Sequence, residues 1–192
     1  MADSVRGMTI ERLVILHGYF AEPSAHWFPW LSAQLEARGG SASVPALPDS
    51  AAPELDAWRA AALEAIGTPD ERLAVVGHSL GAITALHALD AIEGDWRLGA
   101  YVAVAGFLDQ PPGLDALAPF TATTPDVART VARTGTLAVV QSDNDGLVPP
   151  ELGQRLAAEL GVELTVVPGA GHFLGDEGVT ELPVVAELLG AA

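Results

Sequence analysis

Leu73-Ala-Val-Val-Gly77-His78-Ser79-Leu80-Gly81-Ala-Ile-Thr-Ala-Leu-His87-Ala88 reads as a buried strand, a sharp turn with a serine at its tip, and an alanine-rich helix. A serine in such a turn has its hydroxyl pushed out of the sheet. The N–H of the next residue, Leu80, then stands at a helix N-terminus, where developing negative charge is favoured. Gly77 and Gly81 flank the serine two residues away on either side, where a side chain would collide with the neighbouring backbone. Serine also caps helices, and the five-residue pattern alone is common. The apolar run before it and the helix after it make this one a nucleophile elbow.

Such a serine needs a base and an acid to orient that base, and the chain supplies both, in the order serine, acid, histidine. Leu137-Ala-Val-Val-Gln141 runs into Ser142-Asp143-Asn144-Asp145-Gly146-Leu147-Val148-Pro149, and Glu163-Leu-Thr-Val-Val167 into Pro168-Gly-Ala-Gly171-His172-Phe173. Each candidate lies just past the carboxyl end of a predicted strand, where open parallel sheets keep their sites. Ser79 would attack a carbonyl, His172 would take its proton and pass it to the leaving group, and a carboxylate would hold the imidazole tautomer. Of the other histidines, His17, His26, His78 and His87, none follows the last strand. His17 is expected to brace the turn His17-Gly18-Tyr19-Phe20, and His87 to take a core or surface role on the helix after Ser79. In that turn Gly18 lets the backbone fold sharply and aim an amide into the site. Tyr19 is the expected second oxyanion donor beside Leu80, with Phe20 next. Asp143 and Asp145 both stand as the acid, since Ser, Asn, Asp and Gly cluster in loops for turn chemistry alone.

Outward from these motifs, apolar runs alternate with helical periodicity. Strands are predicted at 13–16, 43–45, 73–76, 100–105, 137–141 and 163–167, and helices near 27–38, 54–66, 79–91, 126–133, 150–160 and 180–189. Strict alternation implies a parallel sheet with helices on both faces, a three-layer α/β/α sandwich. The stretch 106–125, with Pro111, Pro112, Pro119 and Phe120, is read as a loop or minimal lid, too short for a cap domain. The 192 residues are read as one domain; residues 1–8 are expected to be a disordered extension, and a start at Met8 would leave residues 1–7 as that extension.

The 25 acidic residues outnumber 9 basic ones, all arginine, giving a formal charge of −16. Such a surface repels phosphate backbones and anionic lipid heads, so neither nucleic acid nor membrane is an expected partner. No stretch approaches the roughly 18 apolar residues of a membrane span, and the first ten residues lack an apolar signal core, so a cytoplasmic location is expected. Without cysteine there is no disulfide, thiolate metal site or catalytic thiol, and serine is left as the obvious nucleophile. No cofactor and no metal are expected; Asp176 and Glu177 are read as a solvated loop in preference to a cation site.

The chain resembles the α/β-hydrolase superfamily, and within it the small serine hydrolases of the YdeN and retinoblastoma-binding protein nine type. The resemblance rests on His17-Gly18-Tyr19, His26-Trp27-Phe28-Pro29-Trp30-Leu31, Pro45-Ala46-Leu47-Pro48, Gly77 to Gly81, Asp145-Gly-Leu-Val-Pro149, and Gly171-His172-Phe173-Leu174 running into Asp176-Glu177-Gly178. It implies a reduced α/β-hydrolase fold, a mostly parallel six-stranded sheet in the order 2-1-3-4-5-6. It also implies a triad of Ser79, Asp145 and His172, the Asp-x-x-Val-Pro pattern favouring Asp145 over Asp143. The retinoblastoma-binding role does not carry over, because a Leu-x-Cys-x-Glu peptide needs a cysteine that this chain lacks. Trp27, Trp30, Phe107, Phe120 and Leu147 are candidate pocket walls, although aromatics in helices and strands belong more often to the core.

A serine hydrolase acting on small carboxylic esters, with amides or thioesters as nearby chemistry, is the leading expectation. An acyltransferase or perhydrolase would share every catalytic residue. A non-catalytic interaction module on a hydrolase scaffold would have no need of all three triad residues. The expected partner is a small-molecule ester, and the expected state a monomer or small homo-oligomer.

Overall fold

In the computed structural model, which describes residues 9–191, six strands form one sheet. They are β1 (Arg12–Leu16), β2 (Ser41–Ser43), β3 (Leu73–His78), β4 (Leu98–Val104), β5 (Thr134–Ser142) and β6 (Leu164–Val167), in the order β2-β1-β3-β4-β5-β6. All neighbouring pairs are parallel. The order expected from the resemblance is the order found. The extension read for residues 1–8 lies outside the described residues.

Side-chain alternation along the strands separates two apolar layers. Val14, Leu16, Val75, Tyr101, Ala103 and Val139 face one layer, and Leu13, Ile15, Val76, Val102, Val104 and Val140 face the other. The first layer is covered by α2 (Leu55–Ile66), α3 (Leu80–Ala91), α4 (Ala118–Thr121), α5 (Val127–Arg133) and α6 (Pro150–Leu160). The second is covered by α1 (Phe28–Glu36) and α7 (Pro183–Leu188). With both faces covered, β3 and β4 are buried along their whole length, and this is why their sequences do not alternate with polar residues.

Every residue of α3 from Leu80 to Leu89 is buried, so this helix is surrounded, and its position is tightly fixed. The Tyr101 hydroxyl of β4 donates to Ala82 O at 3.0 Å. Burial without a charged partner raises the Tyr101 pKa, keeping that hydroxyl a donor. A Cβ on Gly81 would sit 2.0 Å from Leu16 O, and one on Gly77 would sit 2.4 Å from Ala82 Cα. The helix that carries the serine is therefore jammed against the ends of β1 and β3, and only glycine fits at those two places.

Element boundaries move by up to three residues, β5 beginning at Thr134 and the last helix at Pro183, and two readings change in substance. β2 lies at Ser41–Ser43, not at 43–45, because it pairs with Arg12, Leu13 and Val14, and Pro45 has no N–H for a ladder. The stretch 106–125 is not a bare loop: it holds a 3₁₀ turn, Asp115–Leu117, and α4 with Pro119 in its first turn. Phe120 anchors that segment, its ring 5.6 Å from Trp58.

Candidate active site

Ser79 turns the chain from β3 into α3 at φ 53 and ψ −121, a conformation costly for any residue with a side chain. It occupies the N-cap place of α3, but its side chain makes no capping bond. Its own N–H donates to Val104 O at 2.9 Å, which pins the elbow to the end of β4. Among the described residues Ser79 Oγ has no hydrogen-bond partner.

The turn after β1 passes directly over the serine. A Cβ on Gly18 would lie 3.0 Å from Ser79 Cβ, so glycine is what permits this close approach. His17 holds the turn from beneath: Nδ1–H donates to Gly18 O at 3.0 Å, and Nε2 accepts the Leu47 N–H at 3.0 Å. Both ring nitrogens are thereby assigned, and burial lowers its pKa, so the ring is neutral. Phe20 N–H is committed to Ser50 O at 2.8 Å. Among the described residues, the N–H groups of Tyr19 and Leu80 donate to no protein acceptor.

Asp145 and His172 meet from the loops after β5 and β6. His172 Nδ1–H donates to Asp145 Oδ2 at 2.8 Å, and the Asp145 side chain is fully buried. Asp145 Oδ2 also accepts from Gln141 Nε2 at 3.2 Å, while Oδ1 accepts the N–H groups of Leu147 and Val148, each at 2.9 Å. With Nδ1 donating, the lone pair of the neutral His172 ring lies on Nε2. Asp143 does not touch the ring; its carboxylate accepts Gly169 N–H at 2.8 Å and fastens the loop that carries the histidine.

Other residues position His172, a role that the sequence reading did not give them. Asn144 Oδ1 accepts Gly171 N–H at 2.8 Å. Glu177 Oε2 accepts the N–H groups of His172 at 2.7 Å and Leu174 at 3.1 Å, so this carboxylate is engaged with backbone and not simply solvated. His78 Nε2–H donates to His172 O at 2.9 Å, and its ring centroid lies 5.0 Å from that of His172. Burial first, then the neighbouring His172, push the His78 pKa well down, so it is a neutral ring inside the wall. A buried glutamine ending an apolar strand was the one clear signal in the sequence: Gln141 is 0% exposed and such a residue needs a partner.

Ser79, His78 and His172 line one cavity of about 420 Å³, with Tyr19, Leu117 and Leu147 among its apolar walls. Larger, shallower depressions elsewhere, such as the one of about 580 Å³ beside Trp96, hold no serine elbow. Of the aromatic wall candidates, Trp27, Phe107 and Phe120 are each 0% exposed and do not line the cavity. Their size made them more useful to the two core layers: Trp27 packs against Phe28, and Phe120 against Trp58. Trp30 is half-buried against the α1 and α7 layer. His87 donates through Nε2 to Phe120 O at 2.8 Å and is far from being a site residue.

The sequence profile of the serine hydrolase family matches residues 13–191. Among known proteins, YdeN of Bacillus subtilis (strain 168) is 34% identical over 179 residues, covering 93% of this chain and 94% of that one. The crystal structure of the ydeN gene product superposes with a TM-score of 0.90 over 94% of this chain and 97% of that chain. Est1E from Butyrivibrio proteoclasticus shares the fold at a TM-score of 0.64 and 17% identity, over 96% of this chain and 90% of its own.

Proposed function

The chain belongs to the serine hydrolase family, and from that premise we propose that it hydrolyses small carboxylic esters through an acyl-enzyme on Ser79. His172 Nε2 takes the Ser79 Oγ proton as Oγ bonds to the ester carbonyl carbon. The Nδ1–H bond to Asp145 holds the tautomer that leaves Nε2 free and stabilises the imidazolium as it forms. The unengaged N–H groups of Tyr19 and Leu80 receive the oxyanion, Leu80 with the help of the α3 N-terminus. Collapse of the tetrahedral intermediate moves the proton from His172 to the leaving alkoxide oxygen. Water then attacks the acyl-enzyme by the same path in reverse, releasing the acid and restoring Ser79.

The observation that carries this reading is the buried 2.8 Å bond between His172 and Asp145 in the wall of the cavity that Ser79 enters from a strained turn. The free Ser79 hydroxyl fits a resting enzyme, since bonds of this kind tighten when substrate arrives. The test is a fluorophosphonate probe. Stoichiometric labelling that maps to Ser79 and disappears in Ser79→Ala, together with turnover of p-nitrophenyl butyrate lost in the same variant, is expected. Labelling of Ser79→Ala at the native level, or turnover that survives it, would sink the proposal.

A further inference from the structure

The two sides of the cavity differ in chemistry. Tyr19 and Leu117 belong with the α2 and α3 layer, the Phe20 ring lies 4.3 Å from Tyr19, and Leu147 adjoins Val148 of the same layer. Phe20 and Leu147 are exposed there, so this side presents an apolar rim. His26 and Asp176 line the cavity from the other side, above the α1 and α7 layer that holds Trp27, Phe28 and Phe173.

His26 is set up as a donor. Its Nδ1 accepts the Gly175 N–H at 2.9 Å; a backbone amide only donates, so Nδ1 carries no proton and the hydrogen is on Nε2. Among the described residues that Nε2–H has no acceptor. Burial, then the neighbouring His172, lower the ring's pKa and keep it neutral in this tautomer. The ring is held at T-shaped contacts with Phe28, 5.3 Å away, and His78, 5.4 Å away, on a backbone with φ 55. Such a φ is costly for a histidine and is maintained by the surrounding packing. Asp176, whose charge acts on His26 in the opposite sense, has no hydrogen-bond partner of its own among the described residues.

Position decides which half of a substrate meets these groups. His172 passes its proton to the leaving oxygen, so the alcohol half lies along His172. His26 is tied through Gly175 to the loop that carries it. We propose that this side binds the alcohol half of a hydroxylated ester, one hydroxyl oxygen accepting a hydrogen bond from His26 Nε2–H and a hydroxyl donating one to the Asp176 carboxylate, while the apolar rim takes the acyl chain. The inference rests on the ester-hydrolase reading and adds to it the polyol character of the alcohol.

The test compares kcat/KM for glycerol monobutyrate and ethyl butyrate, which share an acyl group, with choline butyrate as a cationic control. The native enzyme is expected to favour the glycerol ester about tenfold, the size of one net hydrogen bond. His26→Asn retains an acceptor near the Nδ1 position but has no distal donor, and should abolish the preference mainly through KM. His26→Gln reaches the Nε2 position with an N–H and should recover part of it. A native enzyme with no preference, or a preference that survives His26→Asn, overturns the inference, as does preference for choline butyrate lost in Asp176→Asn. If Ser79 takes the fluorophosphonate and no preference appears, this inference alone fails; if Ser79 takes none, both readings fail.

Discussion

Asp145→Asn separates an orienting carboxylate from a mere turn residue. Asn Oδ1 can keep the N–H groups of Leu147 and Val148, each 2.9 Å from the native Oδ1. That choice turns Asn Nδ2 toward His172 Nδ1 and Gln141 Nε2, where two donors now face a third. His172 can resolve the clash only by accepting at Nδ1, which puts its proton on Nε2, facing Ser79. The base is then in the wrong tautomer, and kcat for p-nitrophenyl butyrate should fall by up to ~10⁴-fold, as when a triad acid becomes its amide. Gln141 Oε1 has no partner, so rotation of that amide could meet Asn Nδ2, but it would forfeit the 3.1 Å bond to Val148 O. A stability loss of about 1 kcal/mol is the matching expectation. Asp143→Asn keeps an oxygen for Gly169 N–H and should lower kcat only a few-fold, an estimate from the modest net worth of one exposed hydrogen bond. Steady-state kinetics and urea unfolding of both variants decide the matter. A folded Asp145→Asn enzyme within tenfold of native, or equal large losses from both variants, refutes the reasoning.

Acid should destabilise the fold through its histidines. His17, His26 and His78 have pKa values lowered from 6.5, so below that pH the unfolded chain binds protons that the folded chain refuses; stability is full above it and is lost as pH falls. Urea midpoints measured from about pH 7.5 to 5 should show this, with His78→Asn flattening the slope by up to about 1.4 kcal/mol per pH unit; an unchanged slope counts against it. Gly81→Ala, with its Cβ 2.0 Å from Leu16 O, should lose more than about 4 kcal/mol or fail to fold, and a thermal melt within a few degrees of native would contradict the packing argument. With each buried CH₂ contributing about 0.8 kcal/mol and a cavity of about 420 Å³, kcat/KM on p-nitrophenyl esters should rise to about six acyl carbons and then level off. A steady climb to long chains would mean that the segment holding Leu114 and Leu117 moves as a lid.

The helices and strands were legible because burial imposes period on sequence. The unalternating run before Ser79 and the glycines around it have one good structural solution, and α6 begins at Pro150, where a proline is tolerated. β2 was misplaced by two residues because Ser41–Ser43 is a short edge strand, exposed at both ends, whose position follows from β1 and not from its own residues. The aromatic walls were misassigned for a related reason. Trp27, Phe107 and Phe120 have the right chemistry for a pocket, but they are buried in the two core layers, and of the expected walls Leu147 lines the cavity, with Tyr19, Phe20, Leu114, Leu117 and Leu174 as the other large apolar walls.

Asp145 and His172 were legible from the loops that follow their strands, but the bonds that hold the histidine loop were hidden by distance along the chain. Asn144 and Gly171 are separated by 27 positions, and His26 and Gly175 by 149; neither spacing has a period that local reading can detect. What the structure adds is conflict. Phe20, His26 and Ser79 all have positive φ, at 56, 55 and 53, and all three line the same cavity. Local preference alone would place none of them there. Each is held by a contact with a distant part of the chain: Phe20 N–H by Ser50 O, His26 Nδ1 by Gly175 N–H, and Ser79 N–H by Val104 O. Strain of about 1–3 kcal/mol at each place persists only because tertiary bonds outweigh it. Among the described residues Asp49, Ala105 and Phe173 also have positive φ and do not line the cavity, so strain alone does not mark a site; His26 is proposed for it because its ring also lies in the cavity wall with an unengaged Nε2–H.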